Sequence, residues 1–344
     1  MPVHLCTISQ PYSQSRVDLP LIKPLTLGNK TFSTNLIQGP LAGISCAPFR
    51  LLTTRYSRPA YTCTEMISCK TLIHQPDKTQ TRYILKAAGE GPVCYQLSAT
   101  DPAELGEAVK RVTDYGADLI DLNCGCPVKK IRSRGAGSKL LTNPSLLYQL
   151  IRALKDNTHV PVSIKIRVDN HEEKFNEQVA DVVSAAGADF MIVHGRHWTE
   201  HYETPCRHDA IAYFVERMKI PVIGNGDVAS VASLKQMLAT GCAGVMIGRA
   251  GVGQPWLLAE LQAALQQQTF TLPTLPEIRD MLKEHVSRLI ELMGNEKFAI
   301  LQARKFAKYY ARSLPARAAF HAEISACETY QAFSSICDAY IRST

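Results

Sequence analysis

The chain has 344 residues and no run of about 18 consecutive apolar residues, the length a helix needs to cross a bilayer, so a membrane-spanning helix is excluded. The opening stretch, MPVHLCTISQPYSQSRVDLP, lacks the apolar core and small-residue cleavage site of an export leader. Its eleven cysteines never fall at zinc-ligand spacing. Cys124 and Cys126 stand closer together than the usual metal-binding pair, and no metal is expected. Free thiols without a leader predict a reducing, cytoplasmic setting. Neither charge sign is scarce: 38 basic against 31 acidic residues leave +7, a mild excess that permits a polyanionic partner without requiring one. With 46% apolar and 20% charged residues, a fibrous or mostly disordered chain is ruled out. Low-complexity tracts are absent, and the only repeat is a strand–helix unit.

That unit recurs along most of the chain. Strands are expected at 35–38, 61–64, 93–97, 119–123, 163–167, 190–194, 222–224 and 244–247, most nearly all apolar, as parallel strands buried on both faces are. Helices are expected at 101–115, 143–156, 172–186, 208–219 and 230–240. Two open on a capping residue followed by proline (Asp101-Pro102 and Asn143-Pro144), and three stop at Gly116, Gly187 and Gly241. The pattern predicts an α/β fold, a closed TIM (β/α)8 barrel. An open doubly wound sheet is the alternative, but Gly39-Pro40-Leu41-Ala42-Gly43 does not carry its glycine spacing. Residues 21–34, with the turn Gly28-Asn29, are expected to form a hairpin over the barrel floor. Beyond the proline-marked break at 269–276 only helical periodicity remains. The expected organisation is a barrel over 1–270 and an all-helical domain over 276–344.

In such a barrel the working residues sit where strands end. Those positions hold Pro40, Glu65, Gln96, Asn123, Lys165, Arg167, His194, Arg196, Asn225, Asp227 and Arg249. The last two strands run into Gly224-Asn225-Gly226-Asp227 and Gly248-Arg249-Ala250-Gly251. Glycines let backbone N–H groups close on an anion, and an arginine can clamp a phosphate through two bonds. Tight turns alone would also explain the glycines. Lys165 lies inside an otherwise apolar strand and must face a partner or a cavity, where it could stabilise negative charge. Gln96 offers a donor and an acceptor to the edge of a pyrimidine-like ring. Either could instead serve the core. Cys126 sits on a loop before Pro127, among Lys129, Lys130, Arg132, Arg134 and Lys139, with no acidic residue from 127 to 141. Positive surroundings poise a thiol as an acid or nucleophile. Cys124, by contrast, reads as a packed continuation of its strand.

The ordered set Pro40-Leu41-Ala42-Gly43, Pro48-Phe49-Arg50, Asp121-Leu122-Asn123-Cys124-Gly125-Cys126-Pro127 with Lys129-Lys130, Gly135-Ala136-Gly137-Ser138, Lys165-Ile166-Arg167, His194-Gly195-Arg196, Gly224-Asn225-Gly226-Asp227 and Gly248-Arg249 resembles the tRNA-dihydrouridine synthases, in their bacterial branch, over about 35–258. The resemblance implies FMN across the barrel mouth. Its phosphate would lie on Asn225, Gly226, Asp227, Gly248 and Arg249. Its ring would meet Pro40, Leu41, Gln96, Lys165 and His194, with Gly39 in the same cofactor-binding set. NADPH would reduce the flavin, hydride would pass to carbon 6 of a tRNA uridine, and Cys126 would give a proton to carbon 5. The sequence departs from the family at Leu41, usually methionine, and at His197, usually threonine. Loop 198–207 lacks the usual tyrosine–glycine pattern although Tyr202 remains, so the uridine position is not carried over.

A base inside folded RNA must be turned out to reach a flavin, and the surrounding phosphates must be held. The loop with Lys129, Lys130, Arg132, Arg134 and Lys139 offers one basic region. A second spans 297–317, with six basic residues and no acidic one. There Arg304, Lys308 and Arg312 recur every four residues as a helix stripe, while Ala303, Phe306, Tyr310 and Leu314 can pack. A solvated helix face is the plain alternative. The family resemblance agrees with RNA binding, implying a helical tRNA-binding domain. The expected partners are thus tRNA and NADPH, with the protein a monomer. The rivals are an FMN barrel acting on a free metabolite, of the dihydroorotate or dihydropyrimidine dehydrogenase type, and a catalytically silent RNA-binding barrel.

Overall fold

The computed structural model describes residues 21–169 and 173–342. The opening stretch read above and the expected helix start at 172 lie outside them. An antiparallel hairpin of β1 (Leu25–Leu27) and β2 (Lys30–Phe32) comes first. The parallel strands follow: β3 (Leu36–Gln38), β4 (Thr62–Cys63), β5 (Ile67–Ser68), β6 (Val93–Ser98), β7 (Leu119–Cys124), β8 (Val162–Arg167), β9 (Phe190–His194), β10 (Val222–Asn225) and β11 (Gly244–Ile247). The nine form one sheet in which β11 pairs with β3 and β4 pairs back to β6, so the barrel is closed. Because β4 and β5 both pair with β6, they share one position, leaving eight staves. The expected second strand, 61–64, is shortened for a local reason. Glu65 leaves the ladder so that its buried carboxylate can accept from the Gly43 N–H (2.5 Å) and pair with Arg82 (2.7 Å).

The helices between staves open where side chains satisfy their free N–H groups. Asp101 accepts from Ala103 and Glu104 ahead of Pro102–Asp114, and Asn143 accepts from Leu146 ahead of Pro144–Asp156. Gly116, Gly187 and Gly241 take φ of 80° to 86°, the left-handed turn that ends a helix and feeds the next strand.

The lumen changes character along its axis. At the floor, Leu25, Leu27 and Phe32 of the hairpin pack with Ile37, Tyr61, Phe190, Ile192 and Met246, plugging the barrel as expected. Higher up, the inward positions become polar. Along β7, Leu119 joins that apolar plug, while Ile120, Leu122 and Cys124 face the helical layer and leave Asp121 and Asn123 to the interior. Along β8, Ile164 and Ile166 face the helices, leaving Ser163 and Lys165 inside. A floor sealed by hydrocarbon and a mouth lined by hydrogen-bonding groups put the polar space of the barrel at the carboxyl ends of the strands.

After the break, Thr274 and Glu277 form a reciprocal cap and start Leu275–Met293; Glu296–Tyr310, Arg317–Ala326 and Tyr330–Tyr340 follow. Their core includes Phe306, Phe320 and Phe333, together with Cys46, Val252 and Trp256 from the barrel side. Arg55 grips Glu284 through two bonds (2.7 and 2.9 Å), tying a barrel helix to this helical part. His285 is wholly buried there, stacked on Phe306 (4.1 Å between centroids) and bonded through Nδ1 to the Tyr310 hydroxyl. Burial pushes its imidazole down to about 3. The unfolded chain therefore takes up a proton that the folded one refuses, and stability falls as pH drops below about 6.5. From pH 6.5 to pH 5 this one group removes about 2 kcal/mol. Urea midpoints across that range should decline in the native protein and decline visibly less in His285→Phe; parallel declines would contradict the assignment.

Candidate active site

Every residue assigned above to catalysis or cofactor binding lines one cleft of about 840 Å³ at the barrel mouth. That volume suits a cofactor-sized ligand. β7, which carries Cys126 past its end, lies four staves from β11, so the thiol loop and the Gly248-Arg249 loop face each other across the mouth.

Cys126 is half-buried and fixed by both of its peptide groups. Its N–H donates to Asn123 Oδ1 (2.9 Å), and its carbonyl accepts from the Ser138 N–H and hydroxyl (3.1 Å each). Gly137, at φ +61°, must be glycine for this approach: a Cβ there would lie 2.7 Å from the Cys126 carbonyl oxygen. The Gly-Ala-Gly-Ser segment is thus the seat of the cysteine loop. Cys124 is buried against the helices, in agreement with its reading as a packed residue.

Between the two loops lies a half-buried cationic group that lines the cleft. Lys165 Nζ donates to Asn225 Oδ1 (2.8 Å), and burial pushes its amine down to about 8, opposed by the charge of Asp121. His194 Nδ1 meets the same Asn225, at its carbonyl (3.2 Å) and Oδ1 (3.1 Å). Burial and the charges of Lys165, Arg167 and Arg196 hold His194 well below the ordinary histidine range, so its ring is neutral. Asn225 Nδ2 donates to the Met246 carbonyl (2.8 Å).

These bonds bear on how the expected phosphate set could act. The side chain of Asn225 is committed to Lys165, His194 and Met246. The Asp227 carboxylate is held by Arg196 (2.5 and 2.7 Å) and by the Cys206 N–H (2.9 Å). Paired in this way, it repels an anion less than a free carboxylate would, and its backbone can still serve one. Gly226, Gly248 and Arg249 remain available. At Gly248 an added Cβ would meet nothing nearer than Leu41 at 4.0 Å, so the backbone borders open space. Arg249 stacks on the Tyr202 ring (3.6 Å) and ion-pairs with no carboxylate among the described residues. Leu41, in its methionine-replacing position, is held by Ser45 Oγ on its N–H (2.9 Å).

The expected basic stripe also makes contacts within the protein. Arg304 donates through Nε to the Cys327 carbonyl (2.9 Å), stabilising the end of the helix Arg317–Ala326. Arg312 donates to the Gln254 side chain (2.8 Å) and to the Val252 carbonyl, joining the helical part to the loop after β11. Both guanidiniums and Lys308 between them are half-buried, and Arg312 lines the cleft. The face of Glu296–Tyr310 that is exposed carries Phe298, Leu301, Lys305 and Tyr309, and Tyr309 reaches the cleft. On the cysteine loop, Lys129, Lys130, Arg134 and Lys139 are exposed, whereas Arg132 lies over the Trp198 ring (3.2 Å) and bonds Ser138. Sequence reasoning missed Tyr309, and it missed Gln302, which donates to the Gly43 carbonyl. Periodicity gave no sign of either contact, since each joins segments far apart in the chain.

The profile described as "Dihydrouridine synthase (Dus)" matches residues 37–344. The tRNA-dihydrouridine synthase B of Vibrio cholerae is 33% identical over 310 residues, 89% of this chain and 95% of that protein. That of Xanthomonas campestris pv. campestris is 34% identical over 315 residues, 90% and 93%. The probable tRNA-dihydrouridine synthase 1 of Synechocystis is 31% identical over 319 residues, 92% and 89%. Among solved structures, morphinone reductase superposes with a TM-score of 0.56 at 11% identity, covering 77% of this chain and 94% of its own, which bears on the barrel fold alone.

The Asn225 arrangement is testable by stability. Asn225→Leu leaves the half-buried lysine without its acceptor, breaks the bonds to His194 and Met246, and should cost roughly 2–3 kcal/mol in urea unfolding. Adding Lys165→Met removes the orphaned charge and should recover part of that loss. Simple additivity of the two substitutions would refute the pairing.

Proposed function

The chain belongs to the dihydrouridine synthase family, and on that premise we propose that it reduces the carbon 5–carbon 6 double bond of uridines in tRNA, with FMN bound at the barrel mouth and NADPH as reductant. In this reading it works as a cytoplasmic monomer. Among the described residues no helix is long and apolar enough to cross a membrane, and no cluster could hold a metal ion. The observation that carries the proposal is the opposition, within one cleft, of a thiol on a rigid loop and a glycine–arginine anion cradle, with a lysine between them.

The residues fit the cofactor. Open space at Gly248, the unpaired Arg249 guanidinium and the backbone of Gly226 and Asp227 suit its phosphate. Gly39, Pro40, Leu41, Gln96, Lys165 and His194 would surround its ring. Bound there and reduced by NADPH, FMN would supply the hydride for carbon 6 of the uracil. Cys126 holds the proton destined for carbon 5 and releases it as a thiolate, which solvent reprotonates. Lys165, fixed by Asn225, faces the negative charge that develops during transfer. Neutral His194 serves as a hydrogen-bonding group and not as a cation. Family membership sets aside the free-metabolite dehydrogenase and the silent barrel.

For RNA, the exposed lysines and Arg134 beside Cys126 would take phosphates on one side of the mouth. On the other, Phe298, Leu301, Lys305 and Tyr309 form an aromatic and basic track leading into the cleft, suited to stacked bases near the extruded uridine.

Cys126→Ala should retain bound flavin, read from its visible absorbance, and lose about 100-fold or more of its uridine reduction. Arg249→Ala should instead weaken flavin binding by about tenfold or more. Unchanged turnover in the first, or unchanged flavin affinity in the second, removes that residue's role. Replacing Lys129, Lys130 and Lys305 together with alanine should lower the salt slope of tRNA binding by about 2–3. Arg304→Ala should lower stability and leave that slope intact; the opposite pattern would assign the RNA surface to the stripe Arg304, Lys308 and Arg312.

A further inference from the structure

Asp121 takes no part in the reaction just proposed, yet it anchors a directed chain of hydrogen bonds that ends on the catalytic loop. It sits mid-way along β7 and is 2% exposed. Strand register sets it level with Gln96 of β6 and Ser163 of β8. Its carboxylate accepts from both: Ser163 Oγ donates to Oδ1 (2.7 Å) and Gln96 Nε2 to Oδ2 (2.8 Å). Gln96 Oε1 then faces the other way and accepts from Asn123 Nδ2 (2.9 Å). That leaves Asn123 Oδ1 to accept from the N–H groups of Gly125 (3.3 Å) and Cys126 (2.9 Å).

The direction of this chain matters because side-chain amides are nearly symmetric in shape. Packing alone cannot decide which end of Gln96 or Asn123 carries the oxygen; hydrogen-bond partners decide it. At the far end the loop presents only donors, two backbone N–H groups, so Asn123 must offer its oxygen there. At the near end only a group that accepts can hold Gln96 in the matching orientation. Turning either amide round would set an NH2 against another donor in a buried site. The carbonyl of Cys126 has its own anchor in Ser138, but its N–H depends on Asn123.

We propose that Asp121 is a positioning residue for Cys126: its buried carboxylate sets the polarity of the Gln96–Asn123 relay that holds the cysteine's peptide N–H. The assignment rests on the proposed uridine reduction for its functional meaning, while the relay is a property of the protein itself. A leucine in place of Asp121 keeps much of the volume but removes the acceptor that holds Gln96 Nε2, whereas an asparagine can turn its NH2 to Ser163, whose hydroxyl also accepts, and keep its oxygen on Gln96. Loss of the acceptor would release Gln96 and, through Asn123, the N–H of Cys126.

The test uses flavin-loaded, full-length protein and two readouts. One is the rate at which iodoacetamide alkylates Cys126, followed by mass mapping of its peptide. The other is the split between reduction of the flavin by NADPH and its reoxidation by tRNA. Asp121→Leu should change the alkylation rate severalfold and slow reoxidation by roughly 10- to 100-fold, the scale expected when a reacting group is misplaced by about an ångström. Asp121→Asn loses the same negative charge near Lys165 but still accepts from Gln96, so it separates the relay from the charge and should keep the alkylation rate near wild type. Should Asp121→Leu fail to fold, Asp121→Ser, too short to reach Gln96, takes its place. Ser163→Ala removes a bond from Asp121 without touching the relay and should leave Cys126 as it is. Wild-type alkylation in the leucine or serine variant, an equal change in Asp121→Asn, or an equal effect from Ser163→Ala would each overturn the proposal. If the native protein reduces no uridine, the reaction reading fails, while the alkylation arm still decides the relay.

Discussion

Polar groups buried inside a closed barrel carry a free-energy cost when they lack a hydrogen-bonding partner. Above the apolar plug of Leu27, Phe32 and Phe190 the lumen is polar, so side chains that rise toward the mouth must satisfy one another. Two networks result. Ser163, Asp121, Gln96 and Asn123 lead to the cysteine loop, and Met246, Asn225, Lys165 and His194 lead toward the anion cradle. Each side chain is held from below, and the reactive edge faces the cleft. The rigidity that catalysis requires thus arises from the cost of leaving a buried donor or acceptor unmet.

The helical part is bound to this rim at its most consequential points. Gln302 bonds the Gly43 carbonyl, whose N–H is already held by Glu65, and Glu65 in turn is held by Arg82. Arg312 bonds the segment just past Arg249. The exposed face of Glu296–Tyr310 therefore lies on a helix bonded to the loops that border the cleft. The price of that integration is a helical core that is not self-contained, since Cys46, Val252 and Trp256 complete it.

Much of this was legible in the sequence because it depends on local pattern. The apolar runs at Phe190–His194 and Gly244–Ile247 have the bounds expected of them, and the hairpin lies where its turn predicted. The glycine loops and Cys126 were visible because strand ends in a parallel barrel converge on one face. Exposure was not legible in the same way. A spacing of four places Arg304, Lys308 and Arg312 on one face, but whether that face is covered depends on Cys327 and Val252, each distant in sequence. Asp121 escaped notice for a different reason. Lys165 announced itself as a charge within an apolar strand, and Asp121 sends the same signal, masked by its place in a recognisable motif. Register, which aligns it with Gln96 and Ser163, was needed to show its role.

The most direct test of the whole account is chemical. An unmodified tRNA transcript, incubated with purified protein, FMN and NADPH and then digested for mass mapping, should show a gain of two hydrogens on particular uridines, with one NADPH consumed for each. A tRNA unchanged in mass while NADPH is oxidised, or no consumption at all across a full set of transcripts, would contradict the reaction assigned to this cleft.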